Sequence, residues 1–276
     1  MSRRSSAASA IVAVRSGRQQ QRPDRLATEE PLEIRVAGPD QEAVSASVTM
    51  RTPGHDFELA AGFLFAEGLI GGHDVRAIRH CGDTANGHRH DNIVTVDLRH
   101  PVDPARFTRR FAATAACGVC GKATLDDLAV HCEPVGAGPT IPISRLPALA
   151  DRLREQQSVF DRTGGLHAAG LFDAETELLV AREDIGRHNA VDKIIGHALL
   201  EDGLPLADRI LMVSGRLGYE ITQKAAAAGI PVVAAVSAPS TLAVETAERF
   251  GMTLVGFLRG DNFNVYAHPE RLLFDS

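Results

Sequence analysis

Four cysteines in 276 residues are too few for a disulfide framework, so a reducing cytoplasm is the expected compartment. No apolar run approaches the roughly 20 residues that cross a bilayer, and no membrane partner is expected. A formal charge of −6 and an isoelectric point near 6.0 exclude polyanion binding through net charge, so nucleic acid is not an expected partner. The chain also lacks a P-loop and a complete G-x-G-x-x-G fingerprint. Any nucleotide site must therefore be argued from other features.

What is present suits a globular protein: 44% hydrophobic residues over this length can bury one large or two modest domains. The start, MSRRSSAASAIVAVRSGRQQQRPDR, places paired arginines before a short apolar run. That run ends at Arg15 with no small-residue cleavage site after it, so residues 1–28 are expected to be a disordered polar tail rather than an export signal. From Glu30 the texture changes. PLEIRVAG and EAVSASVTM alternate like strands, and Phe57, Leu59, Ala60, Phe63 and Leu64 mark a core-facing helix ending at Gly71-Gly72. HCGDTANGHRHDN (80–92) reads as a solvated loop with three histidines and Cys81, followed by the strand NIVTVDL.

After the proline-rich linker GPTIPISRLPAL (138–149) and a helix over LPALADRLREQQSVF, the pattern becomes regular. LHAAGLF and ELLVARE form a hairpin around DAET; helices and strands then alternate from NAVDKIIGHALL, with Asn189 as its expected cap, to TLVGFL. This predicts an α/β fold overall: a smaller α+β domain over 29–137, then a domain over 138–276 with parallel strands at its C-terminal side and helices on both faces. In such sheets ligands sit beyond the carboxyl ends of the strands. Three loops leave those ends: SGRLGY (214–219), SAPST (237–241) and RGDNFN (259–264). Ser214 and Gly215 allow close approach, helix N-termini offer N–H groups, and Arg216 and Arg259 supply positive charge, which together describe a pocket for a phosphate-bearing molecule.

REDIGRHNAVDK (182–193) concentrates charge at a strand-to-helix junction. Asp184, Arg187 and His188 are candidates for the same rim, with a structural Asp184–Arg187 ion pair as the competing reading. Asp192 and Lys193 read as ordinary first-turn helix residues, and His167 as a structural histidine.

The stretch TAACGVCGKAT (114–124) holds Cys117 and Cys120 in a loop of small residues. Thr124 with Asp127 resembles a capping box, which places the thiols just before a helix. A helix N-terminus and Lys122 would lower a thiol pKa there, and the adjacent glycines allow movement. Structural zinc needs four ligands, and Cys81 and Cys132 form no second pair. A zinc deaminase needs H-x-E ahead of P-C-x-x-C, which is absent. A carrier thiol, a redox pair and a metal loop remain open on the residues alone.

Taken in order, RTPGHDFELAAGFLFAEGLI, ACGVCGK, TGGLHAAGLF, REDIGRHNAVDKIIG, SGRLGYEITQKAAAAGIPVVAAVSAPS and GFLRGDNFNVYAHPERL resemble the FdhD family of sulfur carriers required by formate dehydrogenases. The resemblance covers most of residues 30–273. It implies a cytoplasmic, homodimeric sulfurtransferase whose C-terminal domain is similar to the cytidine deaminase fold without its zinc. Its implied partners are a cysteine desulfurase, the formate dehydrogenase catalytic subunit and the molybdenum cofactor. Persulfide sulfur on Cys117, with Cys120 as second thiol, would pass to a molybdenum or tungsten bis(guanine dinucleotide) cofactor bound as substrate. The implied cofactor stretch is Phe257, Leu258, Arg259, Gly260, Asp261 and Asn262. No metal ligands and no permanent cofactor are expected. The alternative is a non-catalytic cofactor-binding chaperone of the dehydrogenase, with structural or metal-bound cysteines.

Overall fold

A computed structural model of the chain describes residues 5–82, 89–104 and 132–274. The N-terminal segment corrects the disordered-tail expectation. β1 (Ser6–Arg15) and β2 (Arg18–Ala27) pair antiparallel in continuous register. Their two-residue turn has positive φ at both Ser16 (49°) and Gly17 (78°), as a twisted hairpin requires. The polar sequence of β2, RQQQRPDRLA, concealed a strand that owes its place to pairing with the β-branched apolar residues of β1.

β3 (Glu30–Ala37), β4 (Val44–Arg51), β5 (Val75–Gly82) and β6 (Arg89–Leu98) form a four-stranded sheet in the order β4-β3-β6-β5, with β3 and β6 parallel. Much of the region read as a histidine loop is therefore strand; its residues 83–88 lie outside the described residues. Alternate residues Leu32, Ile34 and Val36 of β3 face the core beside Val94 and Val96 of β6. Leu59, Ala60 and Leu64 of α1 (Asp56–Ala66) cover them.

The second body begins with β7 (Ile141–Pro142), α2 (Leu146–Glu155) and the short α3 (Ser158–Thr163). The hairpin β8 (His167–Phe172) and β9 (Leu178–Asp184) follows, then α4 (Arg187–Leu200). β10 (Ile210–Val213), α5 (Tyr219–Ala227), β11 (Val232–Ala235), α6 (Thr241–Phe250), β12 (Thr253–Arg259) and β13 (Asn262–Ala267) complete it. β14 (Leu272–Leu273) then pairs with β7. The main sheet runs β13-β12-β11-β10-β8-β9, with β10, β11 and β12 parallel.

The inner strands β8, β10 and β11 bury both faces. Leu211, Val213 and Val233 meet Val191 and Ile194 of α4, Ile221 of α5 and Ala247 of α6. Ile210, Met212 and Val232 meet Leu146, Leu149 and Leu153 of α2 on the other side. Helices thus cover both faces, as the continuous apolar runs predicted. Asn189 does not cap α4: Gly186 occupies that position, and the Asn189 amide instead donates to the Met50 carbonyl and to Asp184.

The two bodies join where α1 crosses α4. A Cβ on Gly62 would lie 1.9 Å from the Asp192 carbonyl oxygen, and one on Gly196 would lie 1.8 Å from that of Glu58. Two backbones touch there, and only glycine fits. Beyond its acidic first turn α1 is apolar on all sides because one side packs on the four-stranded sheet and the other on α4. Residues on the 137/138 boundary belong to the second body by contact: the Val135 amide donates to the Phe250 carbonyl, and Arg271 donates to those of Gly136 and Ala137.

Candidate functional site

Cys117 and Cys120 lie outside the described residues, but both ends of the segment that carries them are pinned. Gln41 exchanges two hydrogen bonds with the backbone of Val102, at 2.7 and 3.1 Å, which holds the first end to the four-stranded sheet. The contacts of Val135, Gly136 and Ala137 hold the other end to the second body. The two remaining cysteines are free. Burial pushes the Cys132 thiol up, so it stays a protonated core group. Among the described residues no group of His, Cys, Asp and Glu is arranged to hold a metal ion.

The three loops predicted at the strand ends form one connected rim. The Leu217 amide donates to the Ala238 carbonyl, and the Ser240 amide to that of Leu217. The Phe257 amide donates to the Ser237 carbonyl, and Arg259 Nε to that of Val236 at 3.1 Å. A Cβ on Gly256 would lie 3.0 Å from Pro239 and 2.9 Å from Tyr266, so glycine permits this close seam. Arg259, Gly260, Asp261 and Asn262 form the exposed turn between β12 and β13. Phe257 takes a left-handed φ of 54° and is 39% exposed, while Leu258 beside it is fully buried in the core. Leu258 can meet a ligand only through its backbone.

Because β8 runs antiparallel to β10, His167 at its start and Asp184 at the end of β9 arrive at the same rim as Ser214, Gly215 and Arg216. Ser214 closes the β8–β10 pairing: its hydroxyl accepts from the Ala168 amide at 2.9 Å. Asp184 is an internal clamp. Its carboxylate pairs with Lys193 Nζ at 2.7 Å and accepts from the amides of Thr52 and Gly186 and from Asn189 Nδ2. Lys193 spends its other donors on the carbonyls of Thr52 and Glu183. The competing reading of an Asp184–Arg187 ion pair gives way to Asp184–Lys193, and Lys193 is no ordinary helix residue but a buried tie from α4 to the loop after β4.

Asp192 likewise pairs with Lys224 of α5 at 2.8 Å. Burial opposes the Lys224 charge, yet Asp192 and Glu67 beside it raise its pKa. Glu58 of α1 takes both forks of Arg182, at 2.5 and 2.6 Å. Burial raises the Glu58 pKa, but Arg182 and His55 outweigh it and bring the carboxyl down to about 2. These ties escaped the sequence reading because their partners lie far apart in the chain.

His167, Arg187, His188 and Arg216 converge on the rim. A Cβ on Gly215 would lie 3.2 Å from His167 Nδ1 and 3.8 Å from Arg187 Cδ, so the missing side chain leaves room between them. His188 Nε2 lies 3.0 Å from the Glu220 carboxylate, which it holds below the ordinary carboxylate range. Burial first, then the positive charges of Arg187, His188 and Arg216, push His167 down against the pull of Asp184. The rim is a cationic surface on a packed scaffold.

Residues 27–273 match the model of the FdhD/NarQ family. A protein of Mycobacterium tuberculosis (strain ATCC 25618 / H37Rv) named sulfur carrier protein FdhD is 51% identical over 260 residues, covering 91% of this chain and 92% of its own length. A Nocardia farcinica protein of the same name is 50% identical over 276 residues and covers 99% of this chain and 96% of its own. The crystal structure of a Desulfotalea psychrophila protein, described as a candidate formate dehydrogenase accessory protein, superposes with a TM-score of 0.76 at 27% identity. It covers 97% of this chain and 99% of that one.

Proposed function

The chain belongs to the FdhD/NarQ family, and from that premise we propose that it is a sulfur carrier for formate dehydrogenase whose working thiol is Cys117. The observation that carries this reading is the near full-length match to proteins named sulfur carriers, together with the Gly-flanked pair Cys117 and Cys120 inside the matched segment. The Cys117 thiolate attacks the outer sulfur of a cysteine desulfurase persulfide; that S–S bond breaks, the donor thiolate leaves, and Cys117 keeps the sulfur as its own persulfide. Once the acceptor is present, attack of the Cys120 thiolate on Cys117 Sγ delivers the sulfur at the hydrosulfide level and leaves a Cys117–Cys120 disulfide, so the two thiols supply the two electrons.

The acceptor is the molybdenum or tungsten bis(guanine dinucleotide) cofactor, handled as substrate before it enters the dehydrogenase. Ser214, Gly215 and Arg216 and the turn from Phe257 to Asn262 form the surface that receives it. The support is geometric: these loops share one rim, and helix N-termini and arginines there suit phosphate groups. The protein works in the cytoplasm as a homodimer, as the family resemblance implies. Incubation with a desulfurase and cysteine, followed by intact-mass analysis, tests the reading. Wild type gains one sulfur that dithiothreitol removes, and Cys117→Ala gains none. Arg259→Ala is expected to weaken guanine nucleotide binding and leave persulfide loading intact.

A further inference from the structure

The hairpin β1–β2 has two outer edges of different character. A two-residue turn closes on a hydrogen-bonded pair, here Arg15 and Arg18, and the ladder keeps that phase to its base, where the Thr28 amide donates to the Ser5 carbonyl at 2.9 Å. Ala8, Ala10, Val12 and Val14, all exposed, therefore aim their N–H and C=O groups away from β2. No other strand pairs with that edge among the described residues. The outer edge of β2 is blunted: Pro23 has no N–H to offer, and arginines punctuate the strand. From Ala7 to Val14, β1 has neither proline nor charge. Proteins that leave a strand edge to solvent protect it by such means, so only the edge of β2 is built to stay free.

The arm is also short of support. Of its two strands only β2 packs extensively on another element, the short α3, and a two-stranded hairpin by itself is marginally stable in water. Val12 and Val14 are 58% and 65% exposed, on the face that also carries Ala8 and Ala10. Charge favours a second molecule of this chain's own composition. Residues 5–27 hold four arginines and one aspartate, whereas the whole chain has a net charge of −6. The arm of one copy thus meets a body of opposite sign in another.

We propose that the outer edge of β1 binds the same edge of a second copy of this chain, antiparallel about a twofold axis at Ile11, to give a four-stranded sheet in the order β2-β1-β1-β2. In that register the outward groups of each β1 are satisfied by those of the other, as a twofold interface requires. Val12 of each copy lies opposite Ala10 of the other, and Val14 opposite Ala8, so each branched side chain meets a small one. The two β2 strands stand three strand spacings apart, about 14 Å, beyond the screening length of about 10 Å at 0.1 M salt, so their arginines do not oppose the pairing. The presence of two copies rests on the homodimer of the proposed function, whereas the surface itself rests on the hairpin geometry.

Sedimentation equilibrium of the full-length protein tests this. Wild type dimerises, and Val12→Pro, which removes an outward N–H and leaves the β1–β2 ladder its hydrogen bonds, weakens the dimer by about tenfold or more, because symmetry deletes two hydrogen bonds. Gln19→Lys, on the exposed β2, leaves the dimer unchanged. A second variant does not depend on how Val12→Pro folds. Oxidised Ile11→Cys becomes a covalent dimer joined through the introduced thiol, identified by peptide mass, because residues facing each other at the axis lie within disulfide reach. Gln20→Cys on β2 gives no such link under the same conditions. A wild type that is monomeric at all concentrations overturns both the surface and the homodimer reading. Where wild type dimerises, a Val12→Pro dimer as tight as wild type, or no link through Ile11→Cys, overturns the surface alone. Persulfide loading on Cys117 is measured independently, so the sulfur-carrier reading stands or falls separately.

Discussion

The Asp184–Lys193 clamp and the Arg187 cluster are neighbours at the start of α4, yet their charges are spent in opposite ways. The clamp is fully buried, with side-chain exposures of 0% and 1%, and every strong partner is internal. The cluster is only partly buried, Glu220 answers its positive charge chiefly at His188, and Arg187 Nε has no hydrogen-bond partner among the described residues. Internal saturation makes a charge structural, while an uncompensated charge on a rigid support is available to a ligand. Residue type alone does not separate the two.

The largest expected effect lies in the clamp. Lys193→Met leaves the Asp184 carboxylate buried without its cation and is expected to cost about 3–5 kcal/mol, read as a lower denaturation midpoint. A change below about 1 kcal/mol would erase the contrast. Acid comes next. The Glu58 carboxyl, lowered from 4.5 to about 2, stabilises the fold fully above pH 4.5, and that contribution fades as pH falls through 2. It amounts to about 3 kcal/mol, and Glu58→Gln should flatten the acid limb of the stability curve.

Arg187→Gln should have the opposite sign to Lys193→Met: stability unchanged or raised by about 0.5 kcal/mol, because a like charge is relieved. A large loss of stability would make Arg187 a structural residue and dissolve the comparison. The smallest effect is at His167. Its pKa is lowered by burial and by Arg187, His188 and Arg216, with Asp184 acting the other way. Its stabilising share is therefore complete above the unfolded value of 6.5 and is lost as pH falls through the folded value. His167→Gln should remove that slope.

Periodicity made the second body legible: both faces of β10 and β11 are covered, so their sequences are continuous apolar runs. The three loops at the strand ends followed from that order. The β1–β2 hairpin was not legible, because β2 is almost wholly exposed and carries arginine and glutamine where a buried strand would alternate. The rim was read as a set of candidates, but not their division of labour. The pairing of Asp184 with Lys193 follows from the step between a strand end and a helix turn, and that of Glu58 on α1 with Arg182 on β9 joins residues 124 positions apart. Neither leaves a local pattern. Gly62 and Gly196 would each weaken an isolated helix, and the crossing is what requires them.

Cys117 as the sulfur-bearing thiol is the proposal on which the function rests. The direct measurement is intact mass after incubation with a cysteine desulfurase and cysteine, on wild type, Cys117→Ala and Cys120→Ala. One dithiothreitol-labile sulfur is expected on wild type and on Cys120→Ala and none on Cys117→Ala; an equal gain by Cys117→Ala would remove Cys117 as the carrier.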